Sequence, residues 1–106
     1  MLSFEEIPNL LRQEGENLAI ATSNYEFLDE TKKCLLADIA SENTGSSEAE
    51  KNRLALSDER YKKHLEALRD SRHAMLKSKT EIEALNARFA WYQSTRSTER
   101  AEMNLR

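Results

Sequence analysis

The 106-residue chain draws 57 of its residues from alanine, glutamate, lysine, leucine and arginine, and it has no valine, two glycines and one proline. Such a composition belongs to long helices. The shortage of β-branched and turn-forming residues excludes sheet-based folds and the nucleotide-binding and barrel enzymes built on them. A net charge of −3 conceals opposite halves: residues 1–50 carry 11 acids and 3 bases, residues 51–106 carry 8 acids and 13 bases.

Only 29 residues are large apolar types or cysteine, a thin supply for a small monomer that must bury most of its unfolded surface. Self-association is the expectation. Cys34 stands alone and forms no internal disulfide, which suits a reducing compartment. No apolar stretch approaches the ~20 residues of a membrane span. Acids occupy MLSFEEIPNLL where a secretory signal carries bases. These points together predict a cytoplasmic protein.

In chain order, Ser3 with Glu6 forms a capping box, and Pro8 removes a backbone donor early in the first helix. The expectation is a short first turn or a kink, then a main helix. Phe4, Leu11, Leu18, Tyr25, Lys32 and Ile39 recur every seven residues, and Ile7, Glu14, Ala21, Leu28 and Leu35 follow three behind. Two rows at this spacing make the seam of a left-handed coiled coil. A further row, Ile20, Phe27 and Cys34, lies on another side of the same helix. A helix apolar on two sides is usually packed between two neighbours.

Asn43-Thr44-Gly45-Ser46-Ser47 is the one evident break, with Gly45 fit for a left-handed helix terminus and Ser47 with Glu50 forming a second capping box. The second half repeats the row as Leu54, Tyr61, Leu68, Met75, Ile82 and Phe89. Its companions drift from Leu65 and Arg72 to Leu85 and Tyr92, as on a straight 3.6-residue helix. The reading is one all-α domain over residues 1–106: a helix over about 3–43, a turn at 43–47, an unbroken helix over about 47–97 and a frayed polar tail at 98–106. The two helices are expected to form an antiparallel, coiled-coil-like hairpin that assembles into a four-helix or larger bundle.

Pairing about Gly45 predicts partners whose numbers sum to about 90. Phe4 then meets Leu85, Leu28 meets Tyr61, Lys32 faces Asp58 and Glu14 lies near Arg72, Met75 and Lys79. The opposite charges of the halves fit two complementary helices, or else a basic second half meeting an acidic partner such as nucleic acid.

Residues for chemistry are scarce. Asp70 and His73 have the spacing of a bundle carboxylate–histidine motif, but the second motif that a di-metal site needs is missing, so both histidines, His64 and His73, are expected at the solvated surface. No phosphate loop, paired cysteines or nucleophile elbow occurs. The expectation is no enzyme, no metal and no cofactor. In ARFAWYQSTRSTERAEMNLR, Arg88, Trp91, Tyr92, Arg96 and Arg100 interleave cations with rings. That mixture can stack bases and follow phosphates, or Phe89, Trp91 and Tyr92 can form a dimer core. Arg88, Phe89, Trp91, Tyr92, Arg96 and Arg100 are therefore the candidate interaction surface, and Ile20, Phe27 and Cys34 the candidate self-association row.

This C-terminal segment, ending Arg100-Ala101-Glu102-Met103, resembles small helical proteins of tailed phages and prophages, as do Leu11-Arg12, Glu16-Asn17-Leu18-Ala19 and Tyr25-Glu26-Phe27-Leu28 in character. The resemblance is specific over about twenty residues. It implies a phage accessory protein of a bacterial host's cytoplasm and brings no catalytic residues. The expected function is a non-enzymatic interaction protein that self-associates, preferably as a dimer, and binds another protein. The alternative is an accessory factor for single-stranded nucleic acid acting through the Arg/aromatic segment.

Overall fold

A computed structural model describes residues 2–105. Among them every regular element is helical: a 3₁₀ turn at Phe4–Glu6, then α1 (Ile7–Ser41), α2 (Glu48–Leu56) and α3 (Glu59–Leu105). The chain divides into two compact units, Met1–Ala19 with Leu76–Arg106, and Ile20–Met75.

The entry to α1 follows from its sequence. The Ser3 backbone N–H donates to Glu6 Oε2 at 3.2 Å and the Glu6 N–H returns to the Ser3 carbonyl. Pro8 sits in the first turn of α1, where its missing N–H has no intrahelical partner to lose. At the other end, Asn43 Nδ2 donates to the Ile39 carbonyl at 3.1 Å, and Gly45 takes φ +89°, the left-handed region that glycine enters without strain. Ser47 then caps α2 by accepting the Glu50 N–H at 3.2 Å.

Two boundaries differ from the sequence reading. The helix expected to run unbroken over 47–97 stops at Leu56 and restarts at Glu59. Ser57 Oγ donates to the Arg53 and Leu54 carbonyls, both at 3.1 Å, and Asp58 Oδ1 accepts the Arg60 N–H at 2.8 Å. A serine that bonds back to the preceding turn and an aspartate that caps the next one end and start helices without glycine or proline. The tail expected to fray at 98–106 is instead helical to Leu105, with Arg106 outside the described residues. Thr95 and Thr98 hydroxyls donate to the Trp91 and Ser94 carbonyls at 2.9 and 3.1 Å, so the Ser/Thr-rich stretch stays within the helix. Arg100-Ala101-Glu102-Met103 are good helix formers that extend it.

In the Ile20–Met75 unit, the less exposed residues of α1 include Ala21, Tyr25, Leu28, Lys32, Leu35 and Ile39, and those of α3 are Tyr61, His64, Ala67, Leu68, Ser71 and Met75. Ile39 at 1% and Ala55 at 2% exposure are its innermost residues. In the other unit, Ile7 is fully buried and Leu85 and Ser78 nearly so. The companion row of α3 does not drift as expected. It runs His64, Ser71, Ser78, Leu85, Tyr92 at a constant seven residues, with Leu65 and Arg72 left outside it.

Register is offset as well. The contacts seen are Leu28, whose carbonyl meets His64 three residues past Tyr61, and Phe4, which stacks on Phe89 four residues past Leu85. Each shift is three or four residues, about one helical turn. A mirror point at Gly45 takes no account of the second break at Ser57–Asp58, after which α3 begins on a cap of its own. The expected Lys32–Asp58 pair accordingly does not form, since Asp58 is held by Arg60. Glu14 forms no ion pair with Lys79 among the described residues; it borders a groove with Glu81, Leu85 and Arg88.

Candidate interaction surfaces

Three groups of side chains stand out, one in Met1–Ala19 with Leu76–Arg106 and two in Ile20–Met75. The first is aromatic. The Phe4 and Phe89 rings stack at 5.0 Å with planes 13° apart, and Tyr92 meets Phe4 edge-on at 5.7 Å. Tyr92 Oη donates to the Leu2 carbonyl at 3.1 Å, so both ends of that ring are satisfied. Trp91 touches Tyr92 at 5.2 Å yet remains 63% exposed. The Arg96 guanidinium lies 5.5 Å above the Phe4 ring, a cation–π contact. Phe4, Glu5, Trp91, Tyr92, Arg96 and Glu99 line a groove of about 440 Å³.

The six residues singled out in the sequence therefore separate by role. Phe89 and Tyr92 are half-buried and occupied with Phe4, and Arg96 is committed to the same ring. Arg88, Trp91 and Arg100 face solvent. Phe4, from the other end of the chain, completes the cluster.

The second group is the row Ile20, Phe27 and Cys34. Ile20 is 62% and Phe27 64% exposed, and Cys34 is also exposed. Nothing among the described residues covers them.

The third group is a clasp that the sequence reading passed over. Arg60 Nη1 and Nη2 donate to Glu42 Oε1 and Oε2 at 2.8 and 2.6 Å, a bidentate fork, while Arg60 Nε and Nη2 donate to Asp58 at 3.1 Å. Hydrogen bonding to the Arg60 side chain holds the Glu42 carboxyl below its ordinary range. The Arg60 side chain, and then its backbone N–H, do the same for Asp58. Arg60 is correspondingly shifted upward by these two carboxylates. The Ser57-Asp58 pair followed by Arg60 was the available signal, hidden because no glycine or proline marks the break.

Compared with protein-family models, curated proteins and solved structures, the chain matches none. Its surfaces carry the functional reading by themselves.

The histidines also separate. His73 is exposed beside exposed Asp70 on α3, whereas His64, expected at the surface, is half-buried with Nε2 at 2.6 Å from the Leu28 carbonyl. Its imidazole spans the seam where an apolar residue would ordinarily sit. Among the described residues no three His, Cys, Asp or Glu side chains converge. No helix is long and apolar enough to cross a membrane.

Proposed function

We propose that the chain is a non-enzymatic accessory protein that self-associates and holds another protein. In this reading the helices form one antiparallel hairpin, and two hairpins join as a four-helix dimer through Ile20, Phe27 and Cys34. The observation that carries it is the exposure of Ile20 and Phe27, at 62% and 64%, on a helix whose other side is already packed. Each such side chain gains about 1.5–3 kcal/mol when fully buried, before the costs of association. The likeness of the C-terminal segment to phage accessory proteins supplies the setting, a bacterial cytoplasm.

Sedimentation equilibrium tests it. The wild-type chain should run at twice its 12.2 kDa mass or more, and Phe27→Asp should return it to monomer with its helix content intact. A wild-type chain that stays monomeric at high micromolar concentration overturns the reading.

A second reading rests on Trp91, an exposed ring between the exposed Arg88 and Arg100. Single-stranded nucleic acid would stack there and follow the arginines. Glu5 and Glu99 in the same groove oppose phosphate, which places this reading second. Titration of a labelled oligonucleotide at two salt concentrations separates the two: salt-weakened binding supports the second reading, and no binding removes it.

A further inference from the structure

Where the opposite charges of the two halves meet, they do so around the turn and not along the long helices. Among the described residues, the ion pairs join Glu48–Lys51, Glu50–Arg53, Asp58–Arg60, Glu59–Lys62 and Arg69–Asp70, all close in sequence, and one longer-range pair, Glu42–Arg60. None of them joins α1 to α3.

Within the Ile20–Met75 unit exposed charge lies beside exposed apolar side chains. On α1, the spacing of Phe27, Glu30, Cys34 and Asp38 sets two exposed carboxylates along the apolar row. On α3, Lys62, Leu65, Arg69 and Arg72 follow the same three-and-four spacing, with Leu65 38% exposed among three exposed cations, of which Lys62 and Arg69 also meet Glu59 and Asp70 on the surface of the same helix. One face is anionic and apolar, the other cationic and apolar. Their patterns are complementary to each other and not to themselves. Two α1 faces brought together would place Glu30 and Asp38 on both sides with no cation of the row to answer them, an arrangement that costs affinity.

We propose that the α1 face of one copy docks on the α3 face of a second copy. Phe27 packs on Leu65 and the aliphatic stems of Arg69 and Arg72, and the guanidinium groups reach Glu30 and Asp38. This rests on the self-association proposed above and names the surface that receives the apolar row. Because the two faces differ, each copy offers one of each. The contact closes as a dimer where a two-fold axis makes it reciprocal, and otherwise continues to a third copy.

A charge-exchange experiment on the full chain tests the pairing by sedimentation, with helix content followed by circular dichroism. Arg69→Glu/Arg72→Glu and, separately, Glu30→Lys/Asp38→Lys should each raise the dissociation constant by about tenfold or more. Mixed in equal amounts, the two variants should associate again, since each restores the charge pattern that the other lost. Rising salt should weaken the wild-type assembly. Should either reversal perturb the helix, the neutral Arg69→Gln/Arg72→Gln chain replaces it, with a smaller loss expected. If Phe27→Asp dissociates the protein while neither arginine variant does, docking on α3 is overturned and self-association stands. Failure of the mixture to recover also overturns docking on α3. A monomeric wild-type chain removes both.

Discussion

Ile39 and Ile20 are the same side chain on the same helix, and their surroundings give them opposite consequences. Ile39 is 1% exposed in the seam, next to the turn that ends α1. Ile39→Ala should cost about 2–5 kcal/mol, transfer and cavity terms together. Ile20, at 62% exposure, has little native burial to lose, so Ile20→Ala in dilute protein should fall within about 0.5 kcal/mol of wild type. Urea unfolding of both variants at low concentration checks the contrast. Equal losses would mean that Ile20 is already covered within one chain. His64 shows the same dependence on position. Its type suggests a solvated surface residue, but in the seam it meets a carbonyl at 2.6 Å.

At the scale of elements, the clasp at Glu42, Asp58 and Arg60 fixes how α3 restarts. Both carboxyls are held below their ordinary values by Arg60, so the clasp contributes fully above the usual carboxylate range. It is lost as pH falls through the lowered values. Acidification below the ordinary carboxylate range should therefore release Arg60, seen as lost protection of its backbone amide, which donates to Asp58, relative to the intrinsic exchange rate at each pH. An Asp58→Ala chain, which removes the acceptor, should leave that amide unprotected at all pH values; protection that persists at low pH in the wild type would assign no role to the carboxylates. The same region shows where the sequence was legible. The α1 seam could be read because its rows are apolar except for Lys32 and Glu14, which lie half-buried within it. The α3 companion row was hidden because His64, Ser71 and Ser78 are polar types, the last only 6% exposed. Small or hydrogen-bonded polar groups enter a seam at little cost when satisfied, and no hydrophobic periodicity marks them. The break at Ser57–Asp58 was hidden for a related reason: it is made by side-chain hydrogen bonds, which composition does not display. The aromatic meeting of Phe4 with Phe89 and Tyr92 was within reach of the sequence, but the one-turn register offset was not.

At the scale of the whole molecule, composition left two puzzles, a thin apolar supply and a divided charge, and the proposed assembly uses both. The interface inferred for α1 and α3 draws only on Ile20–Met75, whereas Trp91, the single tryptophan, belongs to the other unit. Its fluorescence therefore separates two ways of joining copies. If association proceeds through Ile20, Phe27, Leu65 and their flanking charges, the indole keeps its 63% exposure. Its emission should stay at the wavelength of a solvated indole, and acrylamide should quench it equally at low and high protein concentration. If copies instead join through the aromatic cluster, the indole leaves water as the complex forms, and emission shifts to the blue as concentration rises. The second result, accompanied by an unchanged mass for Phe27→Asp, would move the interface to Phe89, Trp91 and Tyr92 and leave the α1 row as solvent-facing surface. The first result, with Phe27→Asp monomeric, keeps the Trp91 groove free in the assembled protein, available to another protein.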